Sequence, residues 1–176
     1  FIGAPAEIDA GGSADANITV SNSPLNVLAY SDIDATASVE GGSGSLAVSV
    51  NAYRPTANAG GTTRAFAGDG TKVSVGTLKL FADGDARADA DLFSLTLSGL
   101  ASVSVLRPEA NVTNNVEAYI GRNLDEATGD GAEITLSGAA DVNAIGRSIA
   151  EATGTGVAVA LAVGVSDVNA LATLAG

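Results

Sequence analysis

The stretch Arg107-Pro108-Glu109-Ala110-Asn111, followed by Val116-Glu117-Ala118-Tyr119-Ile120-Gly121, restates Arg54-Pro55-Thr56-Ala57-Asn58, followed by Thr63-Arg64-Ala65-Phe66-Ala67-Gly68. One offset of 53 relates Arg54 to Arg107, Pro55 to Pro108, Asn58 to Asn111, Phe66 to Tyr119 and Gly68 to Gly121. The same offset holds upstream at Val20/Val73, Ser21/Ser74 and Leu25/Leu78. Phe1-Ile2-Gly3 matches the aromatic-x-Gly of Phe66-Ala67-Gly68, so the chain reads as three repeats, 1–65, 66–118 and 119–176. Self-similarity at a fixed period of this length points to a solenoid or an array before any other fold.

A second match lies at half that period. Asp141-Val142-Asn143-Ala144-Ile145 recurs there as Asp167-Val168-Asn169-Ala170-Leu171. At about 3.3 Å per residue a rung of half a period closes with two or three short strands. The expectation is an all-β, parallel β-solenoid of about six rungs, two to each repeat, in one domain.

The chain is 46% hydrophobic but only 4% aromatic, so its core must be thin and filled by small aliphatic side chains. Cys, Met, Trp and His are absent, which excludes thiol chemistry, imidazole ligation and His-based acid/base catalysis. The net charge of −12 repels phosphate backbones and argues against a nucleic-acid partner. No charge-free run of 18 apolar residues suggests a membrane span. Without an initial Met or a basic leader, the chain reads as a mature product or an excised piece.

Alternation marks the strands. Leu46, Val48 and Val50 are expected inward after a turn at Gly41-Gly42-Ser43-Gly44, with Ala47 and Ser49 outward. Between Ala82 and Asp91, Asp83, Asp85, Arg87, Asp89 and Asp91 take one parity and Ala82, Ala86, Ala88 and Ala90 the other. Leu92 to Leu106 continues as strand, with a bulge or corner at Gly99-Leu100 where the parity of large residues slips. Ile134, Leu136 and Val142 are core candidates. In Gly156 to Val165 both faces are apolar, and the Ala/Gly face is expected to be covered.

Asp83, Asp85, Asp89 and Asp91 are the metal candidates, because carboxylates on one strand face suit a hard cation such as Ca²⁺. Arg87 interrupts the row, and the alternative is a solvated face that blunts lateral aggregation. Cleavage of a polysaccharide needs two carboxylates flanking the scissile bond, whereas the acids here repeat along exposed faces; the chain is therefore read as not an enzyme. Arg54 and Arg107 either form a ladder for anionic glycans or pair with nearby acids at a corner. Phe66 and Tyr119 are expected to stack. Insertions after Gly3 and Gly121 fall at one corner and carry Glu7, Asp9, Asp15, Asp125, Glu126 and Asp130 as candidate interaction loops.

Glu117-Ala118-Tyr119-Ile120-Gly121 before a turn, Ile134-Thr135-Leu136-Ser137 as an entering strand, and a Gly-rich lead into Val157-Ala158-Val159-Ala160 together resemble the leukotoxin-like filamentous adhesin group, large repetitive surface proteins of bacteria. The resemblance implies an extracellular or surface-attached β-solenoid stalk with no catalytic residue to transfer. The expected partners are further copies of the chain, adjoining repeats of a longer one, or surface glycans.

Overall fold

The computed structural model describes residues 17–121 and 131–175. Among them every regular element is a strand: β1 (Asn17–Ser45), β2 (Val48–Tyr53), β3 (Thr56–Ala67), β4 (Lys72–Ser98), β5 (Ala101–Leu106), β6 (Glu109–Ile120), β7 (Glu133–Leu136), β8 (Ala140–Ala160), β9 (Val163–Val168) and β10 (Leu171–Ala175). They form three sheets, ordered β1-β4-β7 with β8 also on β4, β10-β6-β3, and β2-β5-β9. Each sheet takes strands from every repeat, and the middle repeat's strand is central each time. The β10–β6, β2–β5, β4–β7 and β5–β9 ladders are parallel.

The ladder register follows the long period. Val48 pairs with Ala101, one full period on, and Ala101 with Val163, a period and an insertion on. The inserted residues lie between Gly121 and Gly131. Two rungs per repeat therefore do not form: no ladder among the described residues joins strands half a period apart. Asp141 lies in β8, whereas Asp167 lies in β9 and pairs with Val105, so the two similar pentapeptides belong to different sheets. The physical reason is strand length. β4 spends 27 residues in one sheet, and β5 and β6 are needed before the chain returns to register.

The chain divides into two compact bodies, and the division cuts across the repeats rather than between them. The first comprises Phe1–Tyr30, Thr63–Asp83 and Val116–Ile145. Its core is Ala65, Ala67, Val73, Val75, Leu78, Leu80 and Ala82, flanked by Leu25, Val27, Ala29, Val116, Ala118, Ile134 and Leu136. Val142, by contrast, is exposed. Gly121 adopts φ +84°, a left-handed turn conformation that favours glycine, and its N–H donates to the Ala67 carbonyl at 2.7 Å.

The second body comprises Ser31–Thr62, Gly84–Asn115 and Gly146–Gly176. Its core is almost all alanine: Ala57, Ala59, Ala86, Ala88, Ala90 and Ala110 with Val112. Each alanine removes little apolar area from water, at roughly 25 cal/mol per Å². Small side chains let the facing sheets approach closely, so ladder hydrogen bonds carry much of the order. Middle-repeat residues are the most buried, since β4, β5 and β6 have a strand on both sides.

Beyond the alanines the interior changes character. Ser94, Thr96, Ser102 and Ser104 are completely buried, with Ser49 and Asn51 nearly so. Ser102 Oγ donates to the Thr96 carbonyl at 3.1 Å, Asn51 Nδ2 to Thr96 Oγ1 at 2.9 Å, and Ser104 Oγ to Ser94 Oγ at 3.4 Å. Ser43 and Ser49 also join through their hydroxyls. Val48 and Val50, expected inward, are outward instead, and Leu46 is 97% exposed. These polar side chains fill the interior at this end and satisfy one another by hydrogen bonds. Gly41 to Gly44 do not turn the chain; they lie within β1, Gly41 against the Tyr53 ring, and the bend falls at Leu46-Ala47. Gly99-Leu100 is a corner, between β4 and β5.

Candidate assembly surfaces

Equivalent positions of successive repeats meet across the ladders. In the first body the Phe66 and Tyr119 rings stack, 5.1 Å apart and 8° from parallel, and Arg64 pairs with Glu117 at 2.7 Å. Gly68 accepts from the Thr71 N–H at 3.3 Å, closing the turn. In the second body Asn111 Nδ2 donates to Asn58 Oδ1 at 2.9 Å. The buried Pro55 and Pro108 lend their carbonyls to Glu109 N–H and Leu171 N–H at 2.9 and 3.1 Å. Arg107 donates its backbone N–H to the Tyr53 carbonyl at 2.9 Å and keeps its side chain exposed.

Arg54 makes a forked contact with Glu109, Nε and Nη2 to the two carboxylate oxygens at 2.9 and 2.8 Å. The hydrogen bonds to Arg54 hold the Glu109 carboxyl below its ordinary value of 4.5, and Glu109 raises the Arg54 pKa. For a carboxyl lowered on folding, the stabilisation is present above the ordinary value and lost as pH falls through the folded one. The pair is at the surface and its contribution is small. Glu109→Gln is expected to lower Tm slightly at pH 7, and the difference from the wild type is expected to shrink as pH falls below the ordinary carboxylate value and through the lowered folded one, a trend that thermal denaturation across the acid range checks.

The acidic row is held by cations of the protein itself. In the second body Asp85 meets Arg147 Nη1 at 3.0 Å, while Arg87 Nη2 lies 3.4 Å from Asp89 and 3.8 Å from Glu151. Asp91 is exposed, and Asp83 belongs to the first body. Carboxylates two apart on a strand face sit about 6.6 Å from each other, too far to share an ion at 2.3–2.6 Å without moving. Among the described residues no cluster of three or more acidic side chains could hold a metal. Glu7, Asp9, Asp15, Asp125, Glu126 and Asp130 lie outside the described residues.

Two surfaces remain that a water-exposed strand fold does not explain. The first is the open border of the sheets: β2 and β9 border one, and β3 and β10 another. Such edges present unpaired N–H and C=O groups that template further strands. The second is the outside of the hydroxyl-lined corner in the second body. There Leu46, Val48, Val50, Phe93, Leu95, Leu97, Leu100, Val157, Val159, Leu161, Val163 and Val165 are all substantially exposed. Gly44, Ser45, Leu46, Leu97 and Ser98 line an open depression of about 410 Å³.

Of this apolar corner, the two-sided apolar stretch from Gly156 to Val165 is evident in the sequence of one repeat, and the rest is carried by runs without charge. Residues 41–53, 92–106 and 152–166 carry no charge at all, in a chain with 28 charged residues, and these runs fall at matching places in the three repeats. Among the described residues no helix is long and apolar enough to cross a membrane. No protein-family profile, curated protein or solved structure matches the chain.

Proposed function

We propose that the chain is a segment of a parallel β-solenoid shaft, with one repeat to each turn, in an extracellular or surface-attached bacterial filament or adhesin. The observation that carries this reading is the like-on-like register, in which equivalent positions of successive repeats pair and, among the described residues, the outer strands have a neighbour on one side only. In the shaft those edges pair with adjoining repeats, either of a longer chain or of a second copy. The role is mechanical, without catalysis. Load passes along backbone hydrogen bonds between turns, supported by the Asn58–Asn111 contact and the Phe66–Tyr119 stack. The acidic exterior opposes non-specific collapse of neighbouring shafts. The likeness to filamentous adhesins belongs to this proposal.

The test uses proline as an edge block. Residues of a strand alternate in the side to which their backbone groups point. The carbonyls of Ser45, Ala47 and Tyr53 accept from the β4–β5 side, so Ser38 and Ala52 face the open edge. Proline there removes an edge donor without removing a bond to the neighbouring strand. Electron microscopy of the purified chain is expected to show filaments, and the Ser38→Pro/Ala52→Pro variant short particles with unchanged strand content. Short particles from the unaltered chain, or filaments that survive both prolines, would overturn end-to-end pairing.

A further inference from the structure

The apolar corner of the second body has a regular face. The β2-β5-β9 ladder sets Val48, Ala101 and Val163 in one row and Val50, Val103 and Val165 in the next. Leu46 and Leu161 stand at its corner, 97% and 91% exposed. Ser49, Asn51, Ser102 and Ser104 of the same strands point inward and are buried. The polarity of this sheet is thus inverted: hydroxyls inside, branched aliphatics outside.

Three arguments select the occupant. Lipid would have to surround β2 and β9, whose outer edges have no partner strand among the described residues, and unsatisfied backbone groups are costly in hydrocarbon. A protein surface leaves those edges in water. Next, the rows present neither charge nor aromatic ring, so nothing in them selects a charged or sugar ligand. Two copies can meet on these two rows without placing like charges together; Asp167, in the next row of the same outward face beside Val105, is the first charge beyond them. Finally, the side chains of these rows and the corner leucines offer on the order of 800 Å² per copy, the amount that a standard interface buries on each partner.

The opposite outer face is less suited. Phe93, Leu95 and Leu97 of the middle repeat correspond to Glu40, Gly42 and Gly44 in the first, so that face is interrupted, whereas the Val50, Val103 and Val165 row is valine in all three repeats and the row beside it is Val48, Ala101 and Val163.

We propose that the outer face of β2, β5 and β9, with Leu46 and Leu161, is a self-association surface on which the same face of a second copy packs about a two-fold axis. Sheets meeting this way lie about 10 Å apart with interdigitated side chains, and an isologous contact closes at two copies. The inference goes beyond the shaft reading and needs no axial stacking: in a filament this surface joins shafts side by side.

Sedimentation equilibrium in the Ser38→Pro background, which blocks an edge of β1 and leaves the outer face of β2 untouched, separates the two kinds of contact, because there the dimer persists while end-to-end filaments do not form. Val50→Lys/Val165→Lys added to that background is expected to weaken association at least about tenfold, with circular dichroism and Tm unchanged. Leu95→Lys/Val159→Lys, on the opposite face, leaves the dimer intact. If the lysine pair fails to fold, the near-isosteric Val48→Thr/Val50→Thr/Val163→Thr/Val165→Thr variant replaces it, with weaker association again expected. A monomer at all concentrations overturns the proposal. So does a dimer that ignores the valine changes or yields to those at Leu95 and Val159, or flotation with phosphatidylcholine vesicles in place of dimerisation.

Discussion

Replacing Gly99 by valine is expected to destabilise the chain by about 3 kcal/mol or more, the upper range for forcing extra volume into a closely packed site. For a chain of this size that is a fall in Tm of about 10 °C. Gly99 stands where β4 gives way to β5, and its N–H donates to the Ser45 carbonyl at 3.0 Å. A Cβ built on it runs into the Leu46 carbonyl, which is backbone and cannot rotate aside. The following N–H groups of Leu100 and Ala101 both reach the Ala47 carbonyl, at 2.8 and 3.0 Å, so relief would break the register at the corner. Gly44 provides the control. It lies near the same corner with nothing within 4 Å of its Cβ position, and Gly44→Val is expected to change stability by no more than about 0.5 kcal/mol. Thermal denaturation of the two variants decides the matter: equal effects would mean that the corner is not built on this close approach.

That glycine was visible in the sequence only as a slip of parity, which illustrates what one-dimensional pattern carries and what it does not. The period was legible because Arg54-Pro55 and Arg107-Pro108 are distinctive enough to align, and the ladders follow it. Between Ala82 and Asp91 the inward face was legible too, because the choice lay between alanine and charge. At Leu46 to Val50 the same alternation gave the wrong face. Alternation says that two faces differ, not which is inside, and larger apolar residues are inward only where the interior has room. Here the interior is taken by Ser94, Thr96, Ser102 and Ser104 with Asn51, joined by hydrogen bonds, and the valines lie outside. The pentapeptide likeness at half the period misled for another reason: short runs of strand composition recur easily, and these two belong to different sheets. The valine face has no local signature. It emerges only when the charge-free runs of three repeats are laid in register.

The second large effect is expected at Thr96. This side chain is completely buried, its Oγ1 accepting from Asn51 Nδ2 and its carbonyl from Ser102 Oγ. Thr96→Leu leaves Asn51 without that acceptor and pushes a larger side chain into a fully buried site. Together these cost about 3–5 kcal/mol, from an unsatisfied buried donor and from overpacking. Thr96→Val, nearly the same shape, isolates the first contribution, about 1–3 kcal/mol. The neighbouring Leu97→Thr, on the outward face, is expected to alter the stability of an isolated chain by no more than about 0.5 kcal/mol. Ordinary intuition about a β-sheet predicts the reverse order, leucine welcome and threonine costly. Urea titrations of the three variants therefore test the inversion itself. If Leu97→Thr is the damaging change, the large aliphatics are the true interior, and the self-association surface falls with it. If Thr96→Leu is, the outward aliphatics contribute little to the fold of a single chain, and their retention is explained by a contact beyond it.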